Sequence, residues 1–239
     1  MADYFLTLYS LFWFAFGFSM IMTAGYLLVT PLALFVKDPG HLYHSGNRFW
    51  SITLLKLGRI KLMVEGAENI PSGKNYIFAA NHASLTDILI MAAAIPNDFL
   101  FVMDEELFDI PFLGGYCKRA GYLPISRRNP TRAYKNVLDI IERLKSGKSI
   151  VFFPEGGRSK DGKLRVFKGG IGKLVIDSGV EVIPVASIGS FGILYPSSIV
   201  IHPGRVTVKI GKPIKFDPAE SENEIAEKLH AQIAAMLAG

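Results

Sequence analysis

Charge is scarcest at the start of this chain: from Tyr4 to Val36, 33 residues run without one Asp, Glu, Lys, Arg or His. Cysteine is nearly absent too. Cys117 is the single one among 239 residues, which excludes an internal disulfide, and no Cys/His cluster has the spacing of a zinc site. No Asn-x-Ser/Thr sequon occurs, because Asn129 is followed by Pro130. A domain facing a reducing, cytosolic compartment is the simplest inference. Also missing are the Gly-x4-Gly-Lys-Ser/Thr of a phosphate loop and the Gly-x-Ser-x-Gly of a serine nucleophile elbow. No nucleic-acid-binding motif, internal repeat or low-complexity segment is visible. Charged residues make up 20 % of the chain and hydrophobic residues 50 %, and the mean hydropathy is +0.30. That balance argues against a disordered chain and suits a folded protein with unusually apolar surface.

What charge there is leans positive. A net charge of +5 fits an anionic partner, whether a lipid headgroup, a bilayer surface, a phosphorylated substrate or a nucleic acid. Up to Thr30, before Pro31, the uncharged leader runs 27 residues. As a helix that is about 40 Å long at ~1.5 Å per residue, more than the roughly 30 Å hydrocarbon core of a bilayer. The leader can span, or form a long helix that enters and bends back; a buried core helix is the blander alternative. A cleaved signal peptide is a poor match, since the residues before the run offer Asp3 and no Lys or Arg.

Lys37, Arg48, Lys56, Arg59 and Lys61 then follow, against Asp38 alone before Glu65. From Arg48 to Lys61, basic, aromatic and aliphatic residues are mixed. An amphipathic helix in the headgroup layer has this composition, with Trp50 at the interface; so does a core-packing helix with solvated lysines. The basic excess places this side toward the cytoplasm. Residues 1–62 are therefore read as a membrane-binding helical region and 63–239 as an α/β domain, held on the cytoplasmic side of the inner (cytoplasmic) membrane.

Beyond Val64 the texture alternates. Apolar runs rich in β-formers at Tyr76–Ala80, Phe99–Met103, Tyr122–Ile125, Ser149–Phe153, Val182–Ile188 and Arg205–Ile210 read as strands. Most are separated by helical stretches at Ser84–Ile95, Thr131–Lys145 and Gly169–Asp177, and a last helix is expected over Ser221–Leu237. Such alternation predicts an α/β fold with a largely parallel central sheet.

Asn81-His82-Ala-Ser-Leu-Thr-Asp87 follows the first of these strands and opens a helix. Ligands of open α/β sheets bind beyond the carboxyl ends of strands, which is where His82 falls. Positions five apart on a helix are separated by about 140°, so the pair meets only if His82 lies in the preceding loop. The chemistry is general base catalysis: an imidazole takes the proton of an attacking alcohol while a carboxylate fixes its tautomer and stabilises the imidazolium. A second reading makes Ser84-Leu-Thr-Asp87 a capping box, with Asp87 merely satisfying backbone donors. Further on, Pro154-Glu155-Gly156-Gly157-Arg158-Ser159 breaks a strand sharply. Its glycines allow close backbone approach, and Arg158 suits a bidentate grip on phosphate, or simply solvent at a polar turn. Arg127 and Arg128 also sit at a strand's carboxyl end, and Lys163, Arg165 and Lys168 add positive charge near the second loop.

Four segments occur in an order that resembles the glycerolipid acyltransferases, especially bacterial 1-acyl-glycerol-3-phosphate acyltransferases. They are Asn81–Asp87, Gly121-Tyr-Leu-Pro-Ile-Ser-Arg127, Phe153-Pro-Glu-Gly-Gly-Arg158-Ser and Val182-Ile-Pro184-Val. The resemblance covers roughly residues 60 to 215, and the leader is similar to that family's membrane-binding region. It implies an αβ acyltransferase fold and transfer of a fatty acyl group from acyl-CoA or acyl-carrier protein to the sn-2 hydroxyl of lysophosphatidic acid. The donor is a co-substrate; no cofactor or metal is implied. His82 then resembles the general base and Asp87 its orienting partner. Arg127, Glu155, Gly156 and Arg158 resemble acceptor-binding residues, and Pro184 a shaping residue near the acyl site; the charge of Lys168 supports the same site or simply meets solvent at a helix start. Two positions depart from the family pattern: Gly157 stands where threonine is usual, and Asp104 where many members carry lysine. Both bear on headgroup preference, so another lysophospholipid is an alternative acceptor. A thioesterase and a non-catalytic lipid-binding protein are the rival readings.

Overall fold

The computed structural model describes residues 2–23, 29–36 and 39–239. Leader residues 24–28 and the Lys37–Asp38 pair of the basic stretch lie outside them. Seven strands form one sheet: β1 (Ile60–Glu65), β2 (Ile77–Ala80), β3 (Leu100–Asp104), β4 (Leu123–Ile125), β5 (Ile150–Phe152), β6 (Val182–Ile188) and β7 (Gly204–Ile210). Their order is β1-β7-β6-β2-β5-β3-β4. Every neighbouring pair is parallel except β6 and β7, so the expected largely parallel sheet is present.

The helices are α1 (Ala2–Thr23), the short α2 (Thr30–Ala33), α3 (Gly40–Leu57), α4 (Asp87–Ala94), α5 (Leu113–Arg119), α6 (Pro130–Lys145), α7 (Gly170–Ser178) and α8 (Glu222–Ala238). They cover both faces of the sheet. On one face Leu54 and Leu55 of α3 and Ile90 and Met91 of α4 pack on Phe78, Phe101 and Val206. On the other, α6, α7 and α8 bring Ile140, Leu144, Ile171, Leu174, Ile225 and Leu229 onto Ile77, Ile150 and Val182.

Local sequence explains these elements. Asn129 caps α6, its side chain accepting from the Arg132 N–H at 3.0 Å, with Pro130 in the first helical position. Val137, Ile140, Ile141 and Leu144 then repeat at helical spacing and turn inward. Ser221 and Glu224 form a reciprocal capping box at the start of α8. β2, Ile-Phe-Ala-Ala, is buried along its whole length, as a central parallel strand must be. Cys117 is buried, and burial pushes its thiol up to about 11, far from nucleophilic at neutral pH.

The amino-terminal quarter differs from the sequence reading in two ways. The stretch Arg48–Lys61, expected as one amphipathic helix, ends its helix at Leu57; the chain turns at Gly58 and Arg59 and enters β1. Ile60 through Glu65 pair in parallel with Gly204 through Lys209, and tertiary pairing overrides the helical pattern. The boundary drawn at 62/63 falls inside this strand. α3 buries Tyr43, His44, Ser51, Leu54 and Leu55, which is the core-packing alternative for that segment.

The leader is helical over Ala2–Thr23 and lies against α3. Trp13 is buried, its indole N–H donating to the Leu54 carbonyl at 2.9 Å, and the Tyr9 hydroxyl donates to the Leu57 carbonyl. Gly17 permits the approach, since a Cβ there would meet Leu54 methyls at 3.2 Å. Ser10 accepts from the Ile201 N–H at 2.9 Å. Among the described residues no helix is long and apolar enough to cross a membrane. Of the arrangements expected for the leader, the span has no helix to carry it among those residues.

Candidate active site

The loop after β2 positions His82. Its backbone N–H donates to Glu155 Oε1 at 2.6 Å, and its carbonyl accepts from the Ser159 N–H at 2.8 Å. The loops after β2 and β5 are thereby stitched together. Glu155 Oε2 also accepts from the Arg165 N–H at 3.0 Å. Glu155 is 2 % exposed, and burial, the largest influence, raises its carboxyl above the ordinary range against the pull of those hydrogen bonds.

His82 Nδ1 lies 2.9 Å from Asp87 Oδ2. The same oxygen accepts from the Ala83 and Ser84 N–H groups, each at 2.8 Å. The two sequence readings of Asp87 therefore merge. It satisfies backbone donors at the start of α4 and holds the imidazole as well. Only half of the capping box exists: the Asp87 N–H donates to the Ser84 carbonyl at 3.2 Å, and Ser84 Oγ accepts instead from the Thr86 N–H at 3.3 Å while donating to the Leu194 carbonyl at 2.9 Å. The Phe153 ring stacks on the imidazole with centroids 4.2 Å apart and planes 20° apart. With Nδ1 engaged, Nε2 is the nitrogen left to take a proton from a reactant.

His82, Arg127, Gly156, Arg158 and Lys168 line one cavity of about 530 Å³ at the carboxyl ends of the parallel strands. Leu85, Ile88, Val102, Ile125, Val137 and Phe153 supply its apolar wall. Arg165 braces the glycine loop by donating from Nη1 to the Gly157 carbonyl at 3.1 Å. Gly156 has φ +68°, where a side chain is strained, and a Cβ there would sit 2.7 Å from Lys168 Cε.

Three of the residues to which the resemblance assigns a role stand off the cavity wall. Asp87 lies behind His82. Glu155, expected to contact the acceptor, spends both oxygens on backbone N–H groups. Pro184, expected near the acyl site, sits within β6 opposite Ala79, its carbonyl accepting from the Gly211 N–H at 2.9 Å. Its place is the middle of the sheet rather than the strand ends that form the cavity. Sequence reasoning missed the Phe153 stack and the partner of Asp104. Asp104 Oδ2 pairs with Arg127 Nε at 3.0 Å, so the anion that departs from the family pattern faces a cation one strand away. Arg128 pairs with Glu106 and stays off the wall.

A three-layer α/β sheet thus sets a buried His-Asp pair beside a cationic cavity with an apolar wall. The Acyltransferase family model matches residues 61–188, and the chain belongs to that family. It is similar to the chloroplastic 1-acyl-sn-glycerol-3-phosphate acyltransferase of Arabidopsis thaliana, 34 % identical over 71 % of this chain and 49 % of the relative. A Brassica napus chloroplastic protein of the same description is 33 % identical over 88 % of this chain and 62 % of its own length. The chain thus spans about half to three-fifths of these curated relatives. The crystal structure of the 1-acyl-sn-glycerophosphate (LPA) acyltransferase PlsC from Thermotoga maritima superposes with a TM-score of 0.89 at 26 % identity, covering 100 % of this chain and 97 % of that one.

Proposed function

We propose that this protein is a membrane-associated 1-acyl-sn-glycerol-3-phosphate acyltransferase, which esterifies the sn-2 hydroxyl of lysophosphatidic acid from an acyl-CoA or acyl-carrier-protein thioester. One observation carries the reading: an imidazole held by a buried carboxylate opens on the cavity that Arg127, Arg158 and Lys168 line. The relatives named above are described as 1-acyl-sn-glycerol-3-phosphate or 1-acyl-sn-glycerophosphate (LPA) acyltransferases, which supports the acceptor and the reaction type.

The acceptor phosphate binds the guanidinium and ammonium groups. His82 Nε2 removes the hydroxyl proton as the oxygen attacks the thioester carbonyl, and Asp87 stabilises the imidazolium. Collapse of the tetrahedral intermediate expels the thiolate, which takes the proton back from His82. The products are phosphatidic acid and the free thiol. No covalent enzyme intermediate is needed, because the acceptor supplies the nucleophile. The exposed face of α1, with Tyr4, Phe5, Leu8, Leu11 and Phe12 outward, supports seating of the protein in one leaflet, where both greasy substrates reside.

The test is an assay of the purified protein in mixed micelles with lysophosphatidic acid and an acyl-CoA, following ester formation and thiol release together. His82→Ala lowers turnover about 10²–10⁴-fold, and Arg158→Ala raises the KM for lysophosphatidic acid. A fully active His82→Ala enzyme, or thiol release independent of acceptor, would defeat the assignment.

A further inference from the structure

We propose that Ser187 is a positioning residue of the transfer reaction, acting through Asp87; the inference rests on the reading of His82 as general base. Asp87 is 0 % exposed, and its two oxygens are treated unequally. Oδ2 meets His82 Nδ1 and two backbone N–H groups. Oδ1 accepts from the Ser187 hydroxyl at 3.3 Å, the hydroxyl coming from β6, one strand across the sheet.

The location of that hydroxyl is itself fixed by the catalytic loop. The Ser187 N–H donates to Asn81 Oδ1 at 2.7 Å, and its carbonyl accepts from Asn81 Nδ2 at 3.0 Å. Asn81 is the residue before His82, so loop, carboxylate and strand close a ring. Ser187 is 3 % exposed and does not line the substrate cavity, so it acts on the chemistry only through its neighbours.

The physical need is rotational. Rotation about Cβ–Cγ moves both carboxylate oxygens together, so the three donors on Oδ2 and the one on Oδ1 resist it jointly, and turning misaligns the carboxylate with the imidazole Nδ1–H. The Ser187 donor on the second oxygen narrows that rotation. It also covers a buried anionic oxygen that would otherwise be left without a partner. Preorganisation of the base follows, because the tautomer and orientation of His82 are only as well defined as the carboxylate behind it.

The experiment compares the full chain with Ser187→Ala, Ser187→Thr and His82→Ala in mixed micelles, with rates normalised to folded protein. It also records the downfield proton resonance of the imidazole Nδ1–H, identified by its loss in His82→Ala. In Ser187→Ala, kcat falls about tenfold, both KM values hold, and the resonance moves. Ser187→Thr, which keeps the hydroxyl, returns both toward the wild type. If Ser187→Ala does not fold, Ser187→Cys, a weaker donor, carries the same comparison. A normalised kcat within about twofold of wild type and an unmoved resonance overturn the proposal. A fully active His82→Ala enzyme strikes instead at the reading beneath it.

Discussion

Glu155 accepts hydrogen bonds from the His82 and Arg165 backbones, which makes it a fastener between two loops. Glu155→Ala leaves two N–H groups without acceptors, each worth about 1–3 kcal/mol where buried. A thermal melt should show the loss together with a fall in kcat. The effect depends on pH. Burial raises the Glu155 carboxyl, so the folded state holds its proton more tightly than the unfolded chain does. The stability from this group is fully present below the ordinary carboxylate range and declines as pH climbs through the raised value. The Tm gap between wild type and Glu155→Ala should therefore narrow from mildly acid pH toward neutrality; a widening gap contradicts the assignment. Asp104 works differently, since it holds Arg127 by its Nε at 3.0 Å. Asp104→Ala frees that guanidinium, and the KM for a phosphate-bearing acceptor should change while kcat stays near wild type. Steady-state kinetics over a range of lysophosphatidic acid concentrations checks this.

At the scale of elements, α1 turns a stripe of large apolar side chains outward. Tyr4, Phe5, Leu8, Leu11 and Phe12 follow helical spacing on the side away from Trp13. Leu8→Glu with Phe12→Glu puts two carboxylates there without touching the buried face. Flotation with liposomes should find much of the double variant unbound, and full retention would deny α1 the anchoring role proposed for it. Strand and helix identities were legible wherever one period held. Val182–Ile188 matches its sequence expectation residue for residue, and α6 was anticipated to within one residue at its start. Legibility failed where two periods compete. Ile60–Glu65 continues the apolar pattern of α3, and only β7, some 140 residues away, makes it a strand. The His-Asp pair could be named from spacing. Ser187 could not, because its bond to Asp87 arises from β2 and β6 lying side by side, which no local pattern announces.

Across the whole molecule, the leader and the α/β domain share a core. Trp13 packs with Leu54, Leu55 and Ile60 in the same cluster as Phe78 and Val206. Deleting residues 1–36 should lower Tm as well as membrane retention, since it uncovers Leu54 and removes a buried tryptophan, a change of about 3–5 kcal/mol in comparable cores. A truncated protein that melts like the wild type would show that the leader is a separable tether.

The two contacts from α1 to the last carbonyls of α3, by Trp13 and Tyr9, carry a kinetic consequence. They sit a few residues before β1, so an anchored leader leaves the catalytic mouth little freedom to tilt or rise. Under the proposed function, encounter with the acceptor is then a two-dimensional search at fixed height. Velocity should follow the mole fraction of lysolipid in the interface and be nearly indifferent to its bulk concentration, the signature known as surface dilution.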